Sequence, residues 1–339
     1  MQDFETDVVI IGAGPAGLFA IFEAGMLGLK AHVVDTLDMV GGQCSALYPE
    51  KPIYDIPAHP SLPAQCLVDN LAAQAAPFAP VYHLGQAVEA ISKKADGNWQ
   101  ITTSKNTRIS SKAIIIAAGG GAFGPNRPPM ENLAEYEGKS VFYMVSKREN
   151  FRGKKVVIAG GGDSAVDWAI SLSELTEKLY VVHRRPKFRC APESAAKLQE
   201  LADSGKIELV IPYQLDSIEG NADSGQISSV IVSTIEGEKR ALEADILLPF
   251  FGLSMELGEI ANWGLDLQNN HIAVHHATMQ TNMAGIFAIG DIATYEGKLK
   301  LILTGFAEAA IATRSAHAIV KPDDVLHFGY STSSGVPKI

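Results

Sequence analysis

The 339-residue sequence predicts an α/β protein with two parallel-stranded βαβ units, each carrying a small β-meander. Three observations carry that expectation. At residues 8–35 a strand, a glycine turn, a helix and a second strand follow one another. The same succession returns at residues 155–183. A stretch of alternating polar and apolar residues trails each of them.

Taken in order, Val8 to Ile11 is an apolar strand that runs straight into "GAGPAG", Gly12-x-Gly14-x-x-Gly17, with Ala16 inside the turn. A helical stretch continues to about Gly28, and "AHVVD" ends at Asp35. This is a Rossmann-like, dinucleotide-binding arrangement. Its glycines allow a tight turn, backbone approach to a diphosphate and close helix–strand packing, and the acid accepts ribose hydroxyls. "HLGQAVEAISKKADGNWQITTSKNTRI" reads as two or three antiparallel strands with an Asp96-Gly97 turn. "SKAIIIAAGGGAFGPNRP" is a strand that ends in a glycine-rich crossing. The second unit has its strand at Lys155 to Ala159, its turn at Gly160-x-Gly162-x-x-Ala165, a helix over about Ser164 to Leu175 and a strand ending at Val182. "GQISSVIVSTIEGEKRALEADILLPFFG" is its meander, and "TMQTNMAGIFAIGDIAT" is a return strand ending at Asp291. The expected division is residues 1–118 plus 285–339 for one domain and 119–284 for an inserted one. Its linkers fall near Gly119–Gly121 and Asn282–Gly285. Glycines there suit a hinge and suit an ordinary strand-to-loop turn equally well.

Counting positions separates the two units chemically. Gly17 to Asp35 is 18 positions, and Ala165 to His183 is also 18. One spot therefore holds a carboxylate, and its counterpart opens the cationic run "HRRPKFR", with His183, Arg184, Arg185 and Arg189. A carboxylate suits the free hydroxyls of an FAD ribose and repels a 2′-phosphate, which arginine pairs with well. The first unit is expected to bind FAD and the second NADPH, with Asp163 and Ser164 opening the second helix at the diphosphate. Two arginines at roughly 1.5 kcal/mol each would favour NADPH over NADH about a hundredfold. A solvated turn is the competing reading of Arg184 and Arg185.

Composition removes other classes. A formal charge of −10 argues against bulk nucleic-acid binding and against a polybasic membrane surface. No apolar run is long enough to cross a bilayer and no signal peptide is evident, so a cytoplasmic location is expected. Cys44, Cys66 and Cys190 lie at least 22 positions apart, which gives no metal site, disulfide framework or C-x-x-C.

"GAGPAG", "GGQ", "AGGGDSAVDWA", "HRRPKFR" and "GIFAIGD" together resemble the low-molecular-weight thioredoxin reductase family over nearly the whole chain. That family carries a redox C-x-x-C just before the second glycine turn, where this chain reads "VFYMVSKRENFRGKK" without a cysteine. The C-x4-C of glutathione-reductase-like enzymes is also missing, because Pro49 stands where the partner of Cys44 would be. Cys44 reads as a packed small residue. "GGQCSALYPEKPIYDIP", "LTGFAEAA" and "GYSTSSG" resemble more closely the thioredoxin-reductase-like ferredoxin/flavodoxin–NADP+ reductases.

That resemblance implies a three-layer ββα architecture and a homodimer. It implies reversible electron transfer between NADPH and ferredoxin or flavodoxin through FAD, with no acid–base residue. It further implies that the backbone around Val88 cradles the adenine and that Gln43 bonds the flavin or ribityl region. Asp291 would hold the ribityl or pyrophosphate end (a helix N-cap being its competing reading), and Tyr48 and Tyr330 would stack on the two flavin faces. Thr332 would lie near the ring edge and Phe123 beside the flavin. The helix from about Thr304 would aim its positive end at the flavin. Lys147, Arg148, Arg152, Lys154 and Lys155 form either a basic patch for an acidic partner or a solvated loop. An NADPH diaphorase or oxidase, a disulfide reductase with an external dithiol, and a non-enzymatic NADPH/FAD sensor are the rival readings.

Overall fold

The computed structural model describes residues 2–326 and 335–336. The chain forms two compact units, Met1–Phe123 with Met255–Ile339, and Gly124–Ser254. The first opens on β1 (Gln2–Ile11), α1 (Pro15–Met26) and β2 (Ala31–Val34). Next come a short helix α2 (Gln43–Ala46), α3 (Ala64–Ala75) and β3 (Val81–His83). A meander follows, β4 (Val88–Lys93), β5 (Trp99–Thr103) and β6 (Thr107–Ile116). The strand β7 (Ala122–Pro125) then leads into the second unit.

The second unit contains β8 (Lys155–Ala159), α4 (Asp163–Leu172), β9 (Lys178–Val182), α5 (Pro192–Asp203) and β10 (Glu208–Val210). Its antiparallel meander is β11 (Gln214–Asn221), β12 (Gln226–Ser233) and β13 (Lys239–Glu243), and β14 (Ile246–Pro249) follows. The parallel sheet runs in the order β10-β9-β8-β14. After β15 (Leu253–Glu256) the first unit resumes with β16 (Ile286–Ala288) and α6 (Ile302–Val320).

The seven-stranded sheet of the first unit runs β3-β2-β1-β6-β5-β4, with β16 also paired to β6. Val8 to Ile11 are all buried, because both faces of this parallel strand are covered. Successive residues serve opposite faces. Val8, Ile10, Val33 and Ile115 pack with Leu18 of α1, Val68 of α3 and Ala312 of α6. Val9, Ile11, Val34 and Ile116 pack the other way, with Trp99, Ile272 and Ala293. A small sheet formed by Leu267–Gln268, His271–Ala273 and Ala293–Thr294 covers that side, which gives the third layer.

The structure departs from the sequence expectation in three places. Residues 255–284 belong to the first unit, because Ile260, Trp263, Leu265 and Ile272 bury themselves in its core. The return crossing is therefore β15, about 30 residues earlier than Asn282–Gly285. The third strand of the first meander is itself a member of the central sheet, antiparallel to β5 and parallel to β1. Helix α4 ends at Leu172, where a turn in which the Leu175 N–H donates to the Leu172 carbonyl replaces its last expected residues.

Candidate functional site

A cavity of about 390 Å³ lies at the carboxyl ends of β1, β6 and β16, where an open parallel sheet receives its ligands. Gly12 sits there with φ +108°, and a Cβ on it would lie 2.3 Å from the Ala117 carbonyl oxygen. A Cβ on Gly17 would lie 2.0 Å from the Gly12 oxygen, so only glycine lets α1 come this close to the turn. No side chain caps the N-terminus of α1, where Gly14 precedes Pro15. Its first amides are open to an anion.

Asp35 terminates the β2 side of this cavity and is 9% exposed. Its Oδ2 accepts from the Ala13 N–H at 2.6 Å and its Oδ1 from the Leu37 N–H at 2.8 Å. Burial raises its carboxyl, and those two amides pull it back. The carboxylate thus braces the glycine turn and keeps further lone pairs for ribose hydroxyls. Ala16, Gln43, Tyr48, Val88 and Asp291 line the same cavity. Gly17 stands behind Gly12 as its packing partner. Leu301, Ile302 and Gly305 bring the N-terminal end of α6 to the wall, two residues earlier than expected. Burial pushes the Cys44 thiol up to about 11; its Sγ lies 3.9 Å from Tyr48 Oη, and it behaves as a packed side chain. Tyr330, Thr332 and the side chain of Phe123 lie outside the described residues.

The sequence reading missed Leu257, Glu259, Ile260 and Trp263, which also line this cavity. The Trp263 indole N–H is buried without a partner among the described residues. Together with the uncapped helix end and the glycine cradle, that unsatisfied donor fits a polar, dinucleotide-sized ligand.

The second unit has a cavity of about 630 Å³ lined by Gly160, Gly162, Asp163, Ser164, Ala165, His183, Arg184 and Arg189. Gly160 has φ +153°, and its Cβ would lie 2.6 Å from the Phe250 oxygen. A shallower depression is lined by His183, Arg184, Arg185, Lys187 and Arg189. The cationic loop is built back onto the glycine turn. The Arg189 N–H donates to the Gly161 carbonyl at 2.7 Å, and the Ala191 N–H donates to Asp163 Oδ1 at 3.2 Å. The His183 ring stacks on Phe188 at 5.0 Å and leaves no room for a Cβ on Gly161, which would lie 2.1 Å from it. Burial first, and the neighbouring arginines in addition, lower the His183 imidazole. Its Nε2 lies 3.3 Å from the Lys187 carbonyl and carries the proton.

Matching backbone hydrogen bonds confirm that Asp35 and His183 are structural counterparts. The Gly12 N–H donates to Val34 O and the Gly160 N–H to Val182 O. The Asp35 N–H donates to His83 O and the His183 N–H to Val210 O. The duplication also exposes a missed residue. Val88 lies five positions after the end of β3 at His83, and Leu215 lies five after the end of β10 at Val210; each lines its own cavity.

Arg184, Arg185, Lys187 and Arg189 have no carboxylate partner among the described residues. The cations at 147–155 are different. Arg152 pairs with Glu149 and Lys155 with Glu243, so much of that charge is already neutralised. Among the described residues no helix is long and apolar enough to cross a membrane, and no cluster of metal-ligating side chains occurs. Cys44, Cys66 and Cys190 are free.

Comparison with known proteins agrees with this geometry. Residues 6–316 match the model of the pyridine nucleotide-disulphide oxidoreductase family. The chain is 61% identical to a ferredoxin–NADP reductase of Paramagnetospirillum magneticum, with all of both chains covered. It is 59% identical to one of Rhodospirillum rubrum, over 98% of this chain and 97% of that one. Among solved structures, a thioredoxin reductase of Lactococcus lactis superposes with a TM-score of 0.77 at 25% identity, over 93% of this chain and 99% of its own.

Proposed function

Because the chain belongs to the pyridine nucleotide-disulphide oxidoreductase family, we propose that it is a ferredoxin–NADP reductase that exchanges electrons between NADPH and ferredoxin or flavodoxin through FAD. The observation that carries this reading is the contrast at one duplicated position: a buried carboxylate in the first unit and unpaired cations in the second. The cysteines support it against a disulfide reductase. A dithiol relay needs two neighbouring thiols, one of low pKa, and Cys44 has neither property.

FAD, when bound, supplies the conversion between a hydride and single electrons. In this reading the uncapped N-terminus of α1, from Gly14 onward, receives its diphosphate, and Asp35 accepts its ribose hydroxyls. Gln43 and Asp291 hold the ribityl side, Tyr48 covers the ring, and Val88 packs on the adenine. In the second unit the amides at the start of α4 receive the NADPH diphosphate, and Arg184, Arg185 and Arg189 pair with its 2′-phosphate. No side chain is asked to act as acid or base. The homodimer that the family resemblance implies is tested by sedimentation of the full and tail-truncated chains, and the roles it gives Tyr330 and Thr332 by flavin absorbance and hydride-transfer rates in Tyr330→Ala.

The purified protein should show the absorbance of FAD. It should also reduce cytochrome c through added ferredoxin with NADPH far better than with NADH. Reduction of the flavin by NADPH, with added ferredoxin giving no increase in cytochrome c turnover, would keep the fold and cofactors and refute this acceptor.

A further inference from the structure

The motif "LTGFAEAA" contains Glu308, which lines neither cavity, yet it is 1% exposed on α6. Its Oε2 accepts from the Gly290 N–H at 2.7 Å. Its Oε1 accepts from the Tyr295 hydroxyl at 2.7 Å and from the Lys298 ammonium. The Lys298 side chain is only 6% exposed, so this is a buried ion pair with a third polar partner. Gly290 has φ +72° and lines the first cavity beside Asp291. Ala16 of α1 packs close to both Gly290 and Gly305. The carboxylate therefore ties the middle of α6 to the turn that carries Asp291.

We infer that Glu308 is a positioning residue for the FAD site: it fixes the Gly290–Asp291 turn through the Gly290 amide, and Lys298 is present to neutralise it. A buried ion pair adds little net stability compared with apolar side chains of the same size, whereas a buried amide without an acceptor costs a good deal. The amide bond is therefore the contact that matters for the cavity. This inference rests on the reading of that cavity as the FAD site.

Two double variants separate the amide bond from the charge pair. Glu308→Gln with Lys298→Met keeps an acceptor for the Gly290 N–H and removes both charges. Glu308→Leu with Lys298→Met removes the charges and the acceptor together. The readouts are the rate of FAD loss from the holoenzyme, followed by free-flavin fluorescence, and the flavin midpoint potential. The Gln/Met protein should lose FAD within about threefold of the parent rate, and the Leu/Met protein at least about tenfold faster. The Leu/Met protein should also have a shifted potential, while NADPH binding to the second unit should be unchanged in both. Equal FAD retention in the two variants overturns the inference, as does equal loss in both. If Leu/Met does not fold, Glu308→Met with Lys298→Met decides: it too removes both charges and the acceptor for the Gly290 N–H, and FAD loss unchanged from the parent then refutes the role. A parent protein that binds no FAD would instead overturn the cofactor reading itself.

Discussion

Replacing both Arg184 and Arg185 by alanine tests the reading of the second cavity directly. The two side chains are exposed and, among the described residues, have no carboxylate to release, so the loop should keep its shape. That shape rests on the backbone bond from Arg189 to Gly161 and on the His183–Phe188 stack, neither of which the change touches. A hydrogen bond to a charged group contributes about 1.5–3 kcal/mol. Solvent screening at an exposed site brings this to about 1–1.5 kcal/mol per arginine. The pair then contributes about 2–3 kcal/mol, or roughly 30- to 150-fold in discrimination between NADPH and NADH. Stopped-flow reduction of the flavin at a series of NADPH and NADH concentrations measures it. The second-order rate constant for NADPH should fall by that factor and that for NADH should not. The limiting rate at saturating NADPH should be unchanged, because the lost contact acts equally before and during hydride transfer. Salt should compress the preference of the parent and leave that of the variant alone. A preference for NADPH that survives within threefold would refute the assignment of the 2′-phosphate to these arginines.

Three further outcomes follow from the geometry. Gly17→Ala places a Cβ 2.0 Å from the Gly12 oxygen, so the turn must open; FAD content should fall sharply and the melting temperature by several degrees, read on the purified protein. Cys44→Ser should retain reductase activity, and iodoacetamide at pH 7.5 should leave the parent active, because a thiol whose pKa is about 11 stays protonated there; inactivation traced to Cys44 would contradict this. Burial, and then His83, hold the His32 imidazolium down to about 4 from 6.5. The unfolded chain therefore binds that proton more tightly, and stability should fall as pH drops from about 6.5 towards 4. The loss should reach about 3 kcal/mol in denaturant titrations and be clearly smaller in His32→Gln.

The parts of this protein that local chemistry dictates could be read from the sequence. Lys155–Ala159 was expected as a strand and is β8, because a short apolar run ending in a glycine turn has few other conformations. The equivalence of Asp35 and His183 emerged from counting, since both units place the end of the second strand 18 positions after the last small residue of the turn, although α1 and α4 differ in length. Membership of residues 255–284 could not be read in this way. Nothing local in "ANWGLDLQNNHIAV" says which core Trp263 and Ile272 will join, and that contact is made with residues far earlier in the chain. Glu308 was visible only as part of a motif. Its role depends on Gly290, Tyr295 and Lys298 meeting it in space, and a carboxylate in a helix otherwise reads as solvated surface. Leu215, by contrast, was within reach, had the offset that gave Val88 been applied to the second unit.

The discontinuity of the first unit has a consequence for how the chain is made. Residues 124–254 are a single stretch, complete in sequence well before synthesis ends. The sheet of the outer unit, however, still waits for β16, whose Ile286 pairs with Ile114, and for α6, which covers Leu18 and Val33. As the chain leaves the ribosome, the second unit can close while β6 still presents an open edge and an uncovered helical face. The lining of the first unit's cavity extends from Ile11 to Gly305, so that pocket is among the last features to form. A chain broken off before residue 286 would keep the sequence of the second cavity whole and lack the wall that carries Asp291. Loss of FAD with NADPH binding retained would be the signature of such a fragment.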